Sequence, residues 1–150
     1  MQAPPIARPG AAWRSDGRLR DGAACALLAA FAALLLRATL LRGGAMLGFD
    51  LFSYFYPGKV FAAQALLRGE LPLWNPDIFF GAPFLANIQM AVLYPPDLIY
   101  LIAEFPRAVA LSQWLHLTVA ATGMFLLCRC GWRLGVLPAL AAGLAFAGGG

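Results

Sequence analysis

Residues 22–41 read GAACALLAAFAALLLRATLL and residues 108–128 read AVALSQWLHLTVAATGMFLLC. Each run is close to the ~20 predominantly apolar residues that a helix needs to cross the hydrocarbon of a bilayer, so both predict transmembrane helices. The whole chain of 150 residues is 61% hydrophobic and only 12% charged, with a mean hydropathy of +0.73. A soluble domain is roughly half apolar and one quarter charged, so lipid rather than a globular core is the expected solvent. The reading is an all-α integral membrane protein.

The charges fix an orientation. The formal net charge is +4 and the isoelectric point about 9.3, but ten of the eleven basic residues are Arg, set beside apolar runs rather than clustered in a polar stripe. That pattern argues against a nucleic-acid partner. Residues 1–21 carry Arg8, Arg14, Arg18 and Arg20 against Asp16 and Asp21, and read as a basic, disordered cytoplasmic tail. The run that follows is too long for a signal peptide and lacks a clean small-x-small cleavage site before polar sequence, so it reads as an uncleaved anchor. Arg37, near its outer end, can snorkel to the interface. Arg129 and Arg133, in a turn at 129–133, mark a second cytoplasmic segment, which places residues 42–107 outside. A third apolar run, 134–150, has no polar flank by Gly150, and the chain reads as the N-terminal portion of a longer polytopic membrane protein.

Residues 42–107 differ from the spans. They hold thirteen of the nineteen aromatic residues, interrupted by Pro, Gly, Asn and Asp. Aromatic side chains concentrate at membrane surfaces, so short interfacial helices are expected here. Pro57 suits the start of one over 58–68, stopped by Gly69; another is expected over 97–104. Pro72, Pro76, Pro83, Pro95 and Pro96 make 71–96 an ordered loop. Cys25, Cys128 and Cys130 offer no disulfide framework and no zinc spacing.

The order of motifs in this loop carries a resemblance. Gly48-Phe49-Asp50, Tyr54-Phe55-Tyr56-Pro57, Gly69-Glu70-Leu71-Pro72-Leu73-Trp74-Asn75-Pro76, the run from Phe80 to Gln89 with its Gly81-Ala82-Pro83-Phe84 and Asn87, and Tyr94-Pro95-Pro96-Asp97-Leu98 together are similar to the first external loop of the bacterial YfhO-like membrane protein family. Asp97 departs from the family's Asn. Leu115-His116-Leu117 and Gly123-Met124-Phe125-Leu126-Leu127 resemble its second span. The resemblance covers residues 48–147. It implies a multi-spanning fold related to the GT-C glycosyltransferases, which take sugars from polyprenyl-phosphate carriers, with a cell-surface glycan as acceptor.

In such enzymes an acidic residue soon after the first span acts as a base or binds a metal, and Asp50 occupies that place. A carboxylate there can take the proton that the acceptor hydroxyl loses on glycosyl transfer. The other reading of Asp50 is a cap on the following turn. Lys59 and Arg68 are candidates for a lipid-linked phosphate, or for ordinary headgroup contacts. Tyr56, Asn87, Gln89 and Tyr94 are candidates for the sugar, together with Asn75, Asp77 and Trp74, although Asn75-Pro76 is also a turn signal and Trp74 suits an aromatic belt. His116, mid-span, either packs against another helix or lines a cavity. No phosphate loop or metalloprotease motif is present, so neither ATP-driven nor zinc chemistry has sequence support; no cofactor is assigned and a divalent metal stays open. Two functions follow: a glycosyltransferase component working with further spans, or a non-catalytic protein that binds, transports or helps assemble lipid-linked saccharides.

Overall fold

The computed structural model describes residues 15–42 and 49–149. Most of the predicted tail, the beginning of the external loop at 43–48 and the final Gly150 lie outside the described residues. Helices α1 (Ser15–Leu35), α2 (Arg37–Arg42), α3 (Tyr56–Leu67), α4 (Phe105–Leu126) and α5 (Val136–Gly148) dominate, with two-residue strands β1 (Trp74–Asn75) and β2 (Ala82–Pro83). The chain divides into two compact units, one of Met1–Leu34 with Leu117–Gly150 and one of Leu35–His116.

In the first unit three helices pack through small residues. Ala24 and Leu28 of α1, Ala121 and Phe125 of α4, and Ala139 and Ala147 of α5 share a core with Cys128. Gly143 lies between the two alanines of α5 at a spacing of four, and a Cβ there would fall 2.9 Å from the Ala121 carbonyl oxygen and 3.1 Å from Leu28. Close backbone approach of this kind is how helices associate where lipid removes the hydrophobic drive. Arg129 binds Asp21 through two donors, Nε to Oδ1 at 2.8 Å and Nη2 to Oδ2 at 3.2 Å, and donates from Nη1 to the Leu134 carbonyl oxygen at 2.6 Å. A planar fork on a carboxylate is a strong and directional pairing. It puts the start of α1 beside the turn after α4, so these helices run antiparallel.

Two sequence expectations are corrected here. Residues 15–21 are the first two turns of α1 rather than tail. The run at 22–41 is not one helix: it is interrupted at Leu36 and resumes as α2. Neither Pro nor Gly accounts for the break, and Arg37 is the one departure from apolar composition beside it. Among the described residues one helical stretch, Phe105–Gly131, is long and apolar enough to cross a membrane. At 27 residues it would rise about 40 Å, more than the ~30 Å of hydrocarbon. It begins three residues before, and ends three after, the predicted span, closing in a π-helical turn at Leu127–Gly131.

The second unit is built around α3. Pro57 is the second residue of this helix, where the preceding helical turn Leu51–Phe55 joins it. Gly69, at φ +77, closes it: the Gly69 N–H reaches the Leu66 carbonyl at 2.9 Å and the Glu70 N–H reaches Ala65 at 3.0 Å, a Schellman motif. Ala62 of α3 packs with Phe84 and Met90 of the loop in a small core, and Phe61 meets Phe84 edge-on at 4.9 Å. The loop is ordered, with β1 and β2 paired antiparallel, Trp74 opposite Pro83 and Asn75 opposite Ala82. Beyond it are a 3₁₀ turn at Ile88–Met90 and a longer one at Pro95–Leu101, where the sequence predicts a helix over 97–104.

Candidate functional site

Residues Leu51–Phe55 form a π-helical segment that runs directly into α3. Such widened turns occur most often at functional sites because they re-aim the side chains they carry. Here they carry Ser53 and Tyr54 into a groove of about 230 Å³, whose other walls are Pro57, Gly58, Ile78, Phe79, Phe84, Asn87 and Met90. That volume is below the ~300 Å³ at which drug-sized pockets begin, which leaves room for one small ring. Two aromatic faces, a phenol, a hydroxyl and an amide line it, a mixture that suits a polyol with an apolar ring face.

Asn87 organises one side. Its Oδ1 accepts the Gln89 backbone N–H at 3.1 Å, capping the 3₁₀ turn, and its Nδ2 donates to Tyr54 Oη at 2.6 Å. The Tyr54 hydroxyl hydrogen is thereby left to donate elsewhere. Gly58 is buried, and the Met90 side chain packs directly on its backbone, with Sδ 2.5 Å from where a Cβ would stand.

Asp50 precedes the π segment by one residue, one turn before Ser53 and Tyr54. Its backbone is in the right-handed helical region, φ −65 and ψ −35, and its carboxylate makes no capping bond. Capping needs an extended backbone at the cap residue, so this geometry removes the cap reading. The side chain is exposed and has no hydrogen-bond partner among the described residues.

The remaining predicted residues fall elsewhere. Lys59 pairs with Asp97 and donates to the Met90 carbonyl oxygen at 2.7 Å, with its ammonium 5.3 Å from the centre of the Tyr100 ring. Its charge is spent inside the unit rather than offered to a phosphate. Arg68 pairs with Glu70 at 3.2 Å on the surface. Tyr56 stacks on Phe52 and meets Phe105 edge-on at 4.7 Å, so its ring is part of an aromatic cluster outside the groove. Gln89 is exposed. Asn75 is buried and accepts the Asp77 N–H at 2.9 Å, which is the turn its sequence signals.

Tyr94 reaches α4. Its hydroxyl lies 2.8 Å from His116 Nε2, while His116 Nδ1 is 2.7 Å from the Ser112 carbonyl oxygen. A carbonyl only accepts, so Nδ1 donates to it, and the Tyr94 hydroxyl pairs with Nε2. His116 thus ties the loop to the helix.

Burial, reinforced by the Asp97 carboxylate, pushes the Tyr100 hydroxyl up to about 12. Among the described residues no three His, Cys, Asp or Glu side chains are grouped to hold a metal ion. Sequence reasoning passed over Tyr54, Ser53, Phe79 and Phe84 as site residues; the Tyr54-Phe55-Tyr56-Pro57 run was the available signal, but its helical phase across a π turn could not be read from it. No protein family, curated protein or solved structure matches the chain.

Proposed function

We propose that this chain is the N-terminal portion of a bacterial YfhO-like, GT-C-related membrane protein that moves a sugar from a polyprenyl-phosphate carrier to a cell-surface glycan. Asp50 is the base and the Tyr54–Asn87 groove is a sugar subsite. The observation that carries the reading is the uncommitted Asp50 carboxylate one turn from a groove that combines aromatic faces with hydroxyl and amide groups. A base must be free of competing bonds and within reach of the acceptor hydroxyl, and Asp50 meets the first condition. In this reading residues 1–21 face the cytoplasm, residues 42–107 face outward, and further spans complete the cavity for the polyprenyl chain.

Lys59, a candidate for the phosphate, and Tyr56 and Gln89, candidates for the sugar, leave the substrate-binding set, because two are committed to other partners and one is exposed. Asn87 remains, with Tyr54 added. Tyr94 acts through His116 at the edge of the unit.

The test is transfer by the full-length protein in native membranes, supplied with a radiolabelled polyprenyl-phosphate sugar. Label moving to a surface glycan is the expected result. Saturable binding of the same donor without any transfer would replace the enzyme with a non-catalytic carrier of lipid-linked saccharides, and absence of both would end the reading.

A further inference from the structure

The turn between β1 and β2 bears two phenylalanines in an uncommon conformation. Phe79 and Phe80 have φ of +51 and +62, followed by Gly81 at +106. Left-handed backbone is rare for any residue with a Cβ and unfavourable for bulky ones, so it persists only where surrounding structure enforces it. The enforcement is visible. Asn75 Oδ1 holds the Asp77 N–H, the Gly81 N–H reaches the Ile78 carbonyl oxygen at 2.7 Å, and the Trp74 ring lies where a Gly81 Cβ would be, 2.7 Å away. The result of this strain is outward display: Phe79 is 87% exposed and Phe80 109% exposed.

We infer that the Phe79–Phe80 tip inserts into the interfacial region of the bilayer beside the membrane-spanning helix. Three observations select lipid as the occupant. The same loop exposes further large apolar side chains, Trp74 of β1, its neighbour Leu73, and Ile88 of the 3₁₀ turn. From residue 71 to residue 96 the one charged side chain is Asp77, so the tip has no ionic pattern to match on a protein partner. The same unit contains the first three turns of the Phe105–Gly131 helix, bound to the loop by Tyr94 and His116, so the tip belongs to a body that already meets lipid. Trp is enriched at this depth and Phe serves on the apolar face of interfacial segments, and Trp74 stands at the base of the turn.

The backbone sets the depth. The N–H and C=O groups of Phe79 and Phe80 take no part in the β1–β2 pairing and need water or headgroups, so only the rings enter the hydrocarbon boundary. The insertion is shallow. This inference rests on the membrane reading of α4 and not on Asp50 or on catalysis.

The test uses the full-length protein in phosphatidylcholine vesicles, with a fluorescent amino acid such as dansyl-alanine at position 80. A second protein carries it at position 119, an exposed position on α4. Replacement at Phe80 removes no internal packing, since the ring is exposed. The expected result at position 80 is quenching by a lipid with a nitroxide high on its chain, several-fold stronger than by aqueous iodide. Stronger quenching by iodide overturns the inference, and so does protection from both quenchers, which would show a protein cover. If position 119 is quenched by lipid and position 80 is not, the tip is in water and the membrane reading stands. If both positions are quenched by iodide, the membrane reading falls and takes the inference with it.

Discussion

Lys59 and Asp97 stand 38 residues apart in the chain and form an ion pair with side chains only 11% and 14% exposed. The ammonium has a second acceptor in the Met90 carbonyl oxygen, so the pair locks α3 to both 3₁₀ turns of the loop. Breaking one partner of a buried pair leaves an uncompensated charge, which costs about 3–5 kcal/mol, whereas replacing both with apolar groups is often neutral. Asp97→Ala is therefore expected to open the loop to protease in detergent at temperatures where the wild type resists. The double change Lys59→Met with Asp97→Leu should restore most of that resistance. If Asp97→Ala is as resistant as wild type, the pair does not hold the loop.

Gly143 sets the spacing of α5 against α1 and α4. A methyl group there meets the Ala121 backbone oxygen at 2.9 Å, which cannot move without moving a helix. Overpacking of this kind costs about 1–3 kcal/mol. Gly143→Val should lower the thermal unfolding temperature in detergent by several degrees, while Gly22→Ala, where a Cβ meets nothing within 4 Å, should leave it unchanged or raise it. Equal behaviour of the two variants would contradict the close packing.

Tyr100 gives the second unit an alkaline limit. Its hydroxyl ionises at about 12 in the fold, above the ordinary 10, because burial and the neighbouring Asp97 carboxylate disfavour the phenolate. The unfolded chain therefore releases this proton first, so stability from Tyr100 is complete below pH 10 and is lost as pH rises from 10 to 12. Tyr100→Phe removes the group. The variant should show a shallower loss of stability across that window, measured by denaturant unfolding at successive pH values; parallel curves would exclude Tyr100 as the cause.

Much of this architecture was legible because it depends on local signals. The long apolar helix α4, the stop of α3 at Gly69 and the Asn75-Pro76 turn each arise from residues within a few positions of one another. The start of α1 was misread because Ser15 to Asp21 are charged and polar, and the Asp21–Arg129 pairing beside that first part of the helix spans 108 residues. Lys59 looked available for phosphate for the same reason: its partner is remote in sequence. The helical backbone at Asp50 has no sequence signature, and the π turn that follows it shifts the phase of Ser53, Tyr54 and the residues after them. The left-handed Phe79 and Phe80 carry no sequence signature, because bulky residues are the least expected there.

The most direct measurement of the central claim is the kinetics of sugar transfer by Asp50→Asn in the full-length protein, with insertion into membranes confirmed to be normal. Asn keeps the size and removes the base, and general-base catalysis contributes about 10²–10⁴-fold. The account predicts a fall in kcat within that range with KM for the lipid-linked donor little changed. Unaltered kcat, or a loss confined to KM, would contradict Asp50 as the base.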